Sequence, residues 1–490
     1  MKIRFEMQMI KTAMSLLAGT AMMGLAGCAV GPDYQRPPAL GTNAVPAKFG
    51  DVSITNAGNW KVAEPSAELP HGNWWILYND AELNRVEALA VSNNQQIAVA
   101  VANFDEARAA VKVAQANFFP QISANPSATR QRTSANSSPN GFTANGRTYN
   151  TFSVPADASW EVDIWGRVRR LSEAAGAQFV ASADDLESAK LSVQAEVAMD
   201  YFTLRALDEQ SALLSRTAVA YQHALELTQN RQKSGIADEL DVAQAETQLK
   251  SAQAQISAVD LQRAQTRHAL AVLCGQSATT FALGQGTVDL TNVPAIPLTV
   301  PSEWLEHRPD IAAAERRMAA ANAQIGVAKA AFYPKVTLNG SGGFESISAS
   351  TLFDWPSHLW AVGPTIQFPL FTGGQNLAQL QSAKAAYNGT VATYRQTILT
   401  AFQDVEDQLA GQTFLASQLA EETAAMQSAE RALDIATKRY KAGVEQYLDV
   451  ITAQTTALAQ EESVNTLRGQ RLATSVALIK AMGAGWTASK

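Results

Sequence analysis

From Phe152 to Ile164 the chain alternates strictly. Phe152, Val154, Ala156, Ala158, Trp160, Val162 and Ile164 are interleaved with Ser153, Pro155, Asp157, Ser159, Glu161 and Asp163. A two-residue period puts one set of side chains on each face of a strand. A partner strand begins near Gln121, and the polar stretch from Thr133 to Asn145 reads as the loop between them. A second alternation sets Val336, Leu338, Gly340 and Gly342 against Thr337, Asn339 and Ser341. Trp360, Val362, Ile366, Phe368 and Leu370 mark its returning strand. The pattern predicts two hairpins, about 120–165 and about 335–370, with four strands in all. Pro155, Pro364 and Pro369 each remove a ladder donor, so they are expected at strand ends or bulges.

Elsewhere the period is helical. Val242, Leu249, Ile256, Arg263 and Leu270 are seven apart, with Ala245, Ala252, Val259, Thr266 and Leu273 as a second row. Val450, Ala457, Val464, Arg471 and Leu478, beside Ala453, Gln460, Leu467, Thr474 and Ala481, repeat the arrangement. A seven-residue repeat gives a left-handed supercoil. The seam is weak, with Ala, Thr, Gln and Arg in it, which suits helices laid side by side in a curved wall. From Gly166 to about Lys233, and from Gln375 to Ala442, there is no proline. At about 1.5 Å per residue each run is roughly 100 Å of helix.

The two halves are copies. Gln232-Lys233-Ser234-Gly235 through Leu240-Asp241-Val242 recurs 208 residues on as Tyr440-Lys441-Ala442-Gly443 through Leu448-Asp449-Val450. Nearer the start of each half the offset is 214, pairing Phe118-Phe119-Pro120 with Phe332-Tyr333-Pro334. The expected organisation is a signal peptide 1–27, an extended lipid-anchored segment 28–78, a first repeat 79–275, a linker 276–308, a second repeat 309–483 and a tail 484–490. Each repeat reads helix, hairpin, long helix, tip turn (about 233–238 and about 441–446) and return helix. The fold class is mainly α with a membrane β-barrel.

The start of the chain adds an address. Lys2, Arg4 and Lys11 precede an apolar stretch ending in Leu25-Ala26-Gly27-Cys28. Small residues before the cut are what signal peptidases accept. A cysteine placed directly after them matches the bacterial lipoprotein signal, making Cys28 the acylated first residue. Buried acyl chain contributes about 0.8 kcal/mol per CH₂, so two or three chains hold firmly in lipid. Ala29 at the next position favours the outer membrane by resemblance to sorted lipoproteins. The other cysteine, Cys274, sits among Leu270, Val272 and Leu273 and reads as a small buried side chain.

Composition excludes several classes. The net charge is −7 over 490 residues. It becomes −9 once the +2 of residues 1–27 is removed, which disfavours nucleic acid as a partner. No apolar run after residue 27 reaches the roughly 18 residues of a membrane-spanning helix. The five histidines are scattered, and His223 with Glu226 reads as a solvated pair. No Gly-x-Ser-x-Gly elbow is present, and Gly340-Ser341-Gly342-Gly343 lacks the following helix that phosphate binding needs. An enzyme is not expected, nor any metal or cofactor beyond the covalent lipid on Cys28.

Four strands cannot close a membrane barrel, since closed barrels begin at about eight. An open edge in lipid leaves backbone groups unpaired, at several kcal/mol each. The strands therefore lie outside the membrane, or copies of the chain share one barrel continued by a helical wall. The second arrangement is a conduit. The first is a lipid-anchored periplasmic helical scaffold or adaptor without a pore. The strict alternation favours the conduit.

Several motifs together resemble the outer-membrane factor family, the TolC/OprM-like exit ducts, in its NodT-type lipoprotein branch. They are Cys28-Ala29-Val30-Gly31-Pro32-Asp33-Tyr34, Trp74-Trp75 with Asp80 and Leu83, and Trp160-Glu161-Val162-Asp163-Ile164-Trp165-Gly166-Arg167. Arg308-Pro309-Asp310-Ile311, Phe368-Pro369-Leu370-Phe371 and Gly483-Ala484-Gly485-Trp486 complete the set. The resemblance implies a homotrimer with a twelve-stranded barrel in outer-membrane lipid, a periplasmic α-barrel, and a periplasmic adaptor and inner-membrane pump as partners. It makes Asp241 and Tyr440 links between neighbouring helices across the two tips, and Leu448 and Asp449 the pore constriction. Gly235, Ile236, Gly443 and Val444 become the adaptor-docking tips. Glu445 and Thr452 depart from the family pattern in the gating network.

Overall fold

A computed structural model describes residues 29–39, 73–134, 146–284, 290, 293–294 and 308–483. Its helices carry the duplication in their lengths. In the first repeat α1 (Ala81–Asn93) and α2 (Gln95–Ala116) lead to strands β1 (Gln121–Ala124), β2 (Ser127–Arg132) and β3 (Thr148–Glu161). The long helix α3 (Arg167–Lys233) and its return helix α4 (Glu239–Leu273) follow. In the second repeat α5 (Pro309–Ala330) leads to β4 (Lys335–Ser346) and β5 (His358–Gln367), then α6 (Gln375–Lys441) and α7 (Tyr447–Ala481). The long helices have 67 residues each and the return helices 35 each. Cys28 lies outside the described residues.

The chain forms two compact units. One holds the sheet, the helix ends beside it and residues 29–37. All strands are antiparallel, in the order β1/β2, β3, β4, β5. β1 and β2 lie end to end along one side of β3, so the sheet is four strands across. Two prolines depart from expectation, because Pro155 and Pro364 stand inside strands rather than at ends or bulges. The break between β1 and β2 falls opposite Pro155, whose carbonyl accepts from Asn125 N at 3.4 Å, so the central strand tolerates it. Pro364 is on β5, an edge strand with a ladder on one side only.

In the same unit residues 29–37 cross the start of α3 and part of α5. Val30 N donates to Trp165 O at 3.0 Å, Asn322 Nδ2 to Pro32 O at 2.9 Å, and Tyr34 Oη to Glu315 at 2.5 Å. The buried Arg170 guanidinium reaches Asp33 at 2.7 Å and Glu173 at 2.8 Å. Gly31, at φ +113°, lies so close to Gly326 that a Cβ on it would stand 2.5 Å from the Gly326 Cα. Neither position has room for a side chain.

The other unit holds the helix–turn–helix tips and a core. Trp74, Trp75, Leu83, Tyr201, Phe202, Leu270, Cys274, Leu472 and Ile479 are buried there. In each repeat a hydrogen bond at equivalent positions joins the start of the repeat to the end of its return helix. Asn94 Nδ2 donates to Leu273 O at 2.8 Å, and Arg308 Nη1 to Ala481 O at 2.9 Å. Asn94 also divides in two the one helix expected before the first hairpin. Its backbone is extended, and its side chain caps α2 through Gln96 N and Ile97 N. The seven-residue rows are the buried face of the return helices, with Ala245, Leu249, Ala252, Val259, Leu270 and Leu273 buried in α4. Arg263 in that seam is matched by Asp208 at 2.6 Å and Asp260 at 3.0 Å.

Candidate functional site

The ladder register decides which side chains share a face. Ile122 pairs with Ala158, Ala158 with Gly340, and Gly340 with Val362. The next row runs Ala124, Ala156, Gly342, Trp360, and a third runs Trp160, Leu338, Pro364. Between them lie Gln121, Ser159, Asn339, Gly363 and Ser123, Asp157, Ser341, Ala361. Through the middle of the sheet one face is apolar and the other polar. Ile122 is 78 % exposed and Trp360 74 % in the single chain. The polar face is cross-linked, with Ser159 donating to Asn339 at 3.1 Å and Asn339 to Thr365 at 2.9 Å.

Dimensions fit a bilayer. From Phe152 to Val162, one residue past the end of β3, is ten steps, about 33 Å of extended chain, or about 25 Å of height at a tilt of about 40°. Aromatic residues stand at both ends. Trp160 Nε1 donates to Phe118 O at the helix-proximal end, where Phe119, Phe368 and Phe371 are exposed. At the loop end Phe344 packs edge-on to Phe353 and Trp355 stacks on His358. This is the girdle pattern of outer-membrane barrels. β1/β2 and β5 are the free edges.

The tips are built by matching helix stops. Gly235 and Gly443 take φ +73° and +75°, the left-handed conformation that a glycine adopts without strain. Gly235 N donates to Gln232 O and Ile236 N to Arg231 O; Gly443 N donates to Tyr440 O and Val444 N to Arg439 O. These bonds satisfy the last carbonyls of α3 and α6. Ile236 and Val444 are thereby presented to solvent, each 68 % exposed.

Asp241 and Asp449 occupy the third position of α4 and α7, where a negative charge complements the helix dipole. Asp241 N is held by the Asp238 carboxylate at 3.0 Å. Leu448 and Asp449 are exposed. Tyr440 is buried, tilted against Tyr447 with ring centroids 5.3 Å apart. The Arg231 guanidinium lies over its ring at 4.6 Å, and Arg231 Nη1 donates to Tyr440 O at 3.3 Å. Tyr440 is thus tied to the first tip through Arg231, and Glu445 pairs with Arg439 at 3.2 Å. Burial pushes the Tyr447 hydroxyl up to about 12. Arg231 and Tyr447 were not singled out by the sequence; the signal was the aromatic pair at 440 and 447, where the first repeat has Gln232 and Glu239.

Among the described residues no cluster of His, Cys, Asp or Glu could hold a metal ion, and no helix is long and apolar enough to cross a membrane. The family model for outer membrane efflux proteins matches residues 87–276 and 300–484. The chain is 33 % identical over 467 residues to the toluene efflux pump outer membrane protein TtgF of Pseudomonas putida, covering 95 % of each. It is 32 % identical to the outer membrane protein OprJ of Pseudomonas aeruginosa, covering 98 % of this chain and 97 % of that one. The Campylobacter jejuni CmeC outer membrane channel superposes with a TM-score of 0.85 at 26 % identity, covering 94 % of this chain and 96 % of that one. A sheet with one lipid-compatible face, joined to paired 67-residue helices and matched along nearly its whole length, makes this chain a member of the outer membrane efflux protein family, an outer-membrane channel and not an enzyme.

Proposed function

We propose that three copies of the chain close one twelve-stranded barrel, forming a passive exit duct of a tripartite efflux or secretion system. The observation that carries this reading is the sheet itself. It has one apolar face, one polar face, and free edges at β1/β2 and β5. In lipid those edges need partners, and identical copies supply them in closed rotational symmetry. The polar face then lines the lumen. An adaptor and an inner-membrane pump open the duct at its periplasmic tips, docking on Gly235, Ile236, Gly443 and Val444. Asp241, Tyr440, Leu448 and Asp449 form the gate. Three Asp449 carboxylates around an axis repel anions and attract cations.

The NodT-type lipoprotein assignment rests on the Leu25-Ala26-Gly27-Cys28 motif, and a contact of the neighbouring residue supports it. Ala29 lies against Gly166 at the β3–α3 junction, and Val30 is bonded to Trp165. That junction ends the apolar band, so the described chain begins at the membrane boundary, as an anchor on the preceding residue requires.

Particle mass and single-channel conductance of the detergent-extracted protein test the duct. A trimer with a pore is expected, whereas a monomer with water-soluble hairpins refutes it. Asp449→Ala should raise the conductance of the closed duct; unchanged conductance removes Asp449 from the gate. Cysteines at Ile236 or Val444 should cross-link to an adaptor in assembled pumps.

A further inference from the structure

Where β3, β4 and β5 meet their helices, a cavity of about 360 Å³ opens within the sheet-bearing unit. That volume is at the small end of the range for small-molecule sites. One wall is the stacked pair Trp165 and Tyr333, with centroids 4.7 Å apart and planes 27° apart. Trp165 Nε1 is already used, donating to Pro334 O at 2.8 Å. Pro334, Val336 and Pro369 extend the apolar lining. Asn376, at its edge, is held by Ala331 O at 2.8 Å.

The charges around this wall do not cancel. Arg167 grips Glu161 with two bonds of 2.7 and 2.8 Å. Asp163 is matched by Arg169 and by the amides of Val168 and Arg169. Lys335 also reaches Glu161, at 3.2 Å, but Glu161 already has its cation. One positive charge is therefore in excess, on a side chain 53 % exposed. We propose that this cavity binds a planar aromatic anion, an aryl carboxylate or sulfonate, with its rings against Trp165 and Tyr333 and its charge on Lys335. Packing of the ligand's rings against this aromatic pair supplies the apolar contribution, and a charge-assisted bond fixes the orientation. None of the residues assigned to the gate lines this cavity.

The test is isothermal titration calorimetry of the full-length protein in lipid nanodiscs with 2-naphthoate, with the heat of empty nanodiscs subtracted. Saturable binding is expected, weakened about tenfold or more by Lys335→Gln and retained by Lys335→Arg. 2-Naphthylmethylammonium, with the same rings and the opposite charge, should bind wild type at least about tenfold more weakly. Equal binding of the two compounds overturns the proposal, as does an affinity unchanged in Lys335→Gln or a heat no larger than that of empty discs. The comparison of the two compounds needs only wild type, so it holds whether or not a variant folds. Conductance of the same preparation reports the duct separately.

Discussion

Glu87 is buried within α1, and neither oxygen of its carboxyl group has a hydrogen-bond partner among the described residues. Burial raises its pKa from 4.5 to about 9. The sign follows from proton counting. Below about pH 4.5 the acid is protonated in both states, and this contribution to stability is fully present. Above it the unfolded chain releases the proton while the folded chain holds it up to about pH 9, so stability falls as pH rises. The slope is about 1.4 kcal/mol per pH unit, or on the order of 4 kcal/mol by pH 7.5. Glu87→Gln keeps the shape and cannot ionise. Thermal unfolding of both proteins, followed by circular dichroism from pH 5 to pH 9, isolates the effect because every other titrating group is common to both. The variant should match wild type within about 1 kcal/mol at pH 5 and become progressively more stable as pH rises. Two parallel curves would show that Glu87 finds a charge partner or water when ionised, and the reasoning would fail.

Other substitutions probe the close approaches and the tips. Gly326→Ala would place its Cβ 2.8 Å from Arg170 Cγ and 2.9 Å from Val30 O; a loss of about 1–3 kcal/mol is expected, read as a lower unfolding temperature with faster proteolysis of residues 29–37. Gly443→Ala forces a side chain onto φ +75° and should cost about 1 kcal/mol, whereas Gly389→Ala, inside α6 with nothing within 4 Å of the new Cβ, should gain about 0.5–1 kcal/mol in the same assay. Tyr440→Phe deletes a buried hydroxyl that has no partner among the described residues and should leave the unfolding temperature unchanged or raised, while Arg231→Leu removes the cation from the ring and should raise conductance in a planar bilayer.

What was legible in the chain was whatever a period encodes. Alternation fixes a face for each side chain without knowledge of the partner strand, and the observed register puts Phe152, Val154, Ala156, Ala158 and Trp160 on one face; the strand ends at Glu161, and the chain turns at Ile164, whose amide donates to Val162 O, so the last two apolar positions of the pattern fall outside the ladder. The 208-residue offset survives unchanged from Arg167 and Gln375 at the helix starts to Leu273 and Ala481 at the ends. What was not legible depends on residues far apart in sequence. Pro155 looked like a strand end because the break at Asn125-Pro126 that accommodates it lies on another strand. Asn94 looked helical because its cap and its bond to Leu273 become visible only once the return helix is beside it. Arg231 and Tyr440 belong to different repeats, and no periodicity links them.

The copies have diverged where divergence is mechanically free. Helix lengths are locked, since a change in one long helix without its return helix would move a tip out of register with the paired glycine stops. Tip side chains carry no such constraint. At equivalent positions the first repeat has Gln232, Ala237 and Glu239, and the second has Tyr440, Glu445 and Tyr447. The second tip consequently carries an aromatic pair and its own Arg439–Glu445 ion pair, and it borrows Arg231 from the first as the cation on its ring. Duplication made two similar hairpins. Aromatic residues at two positions of the second tip supply the ring that Arg231 of the first tip clamps, so two hairpins of matching length meet through an asymmetric contact.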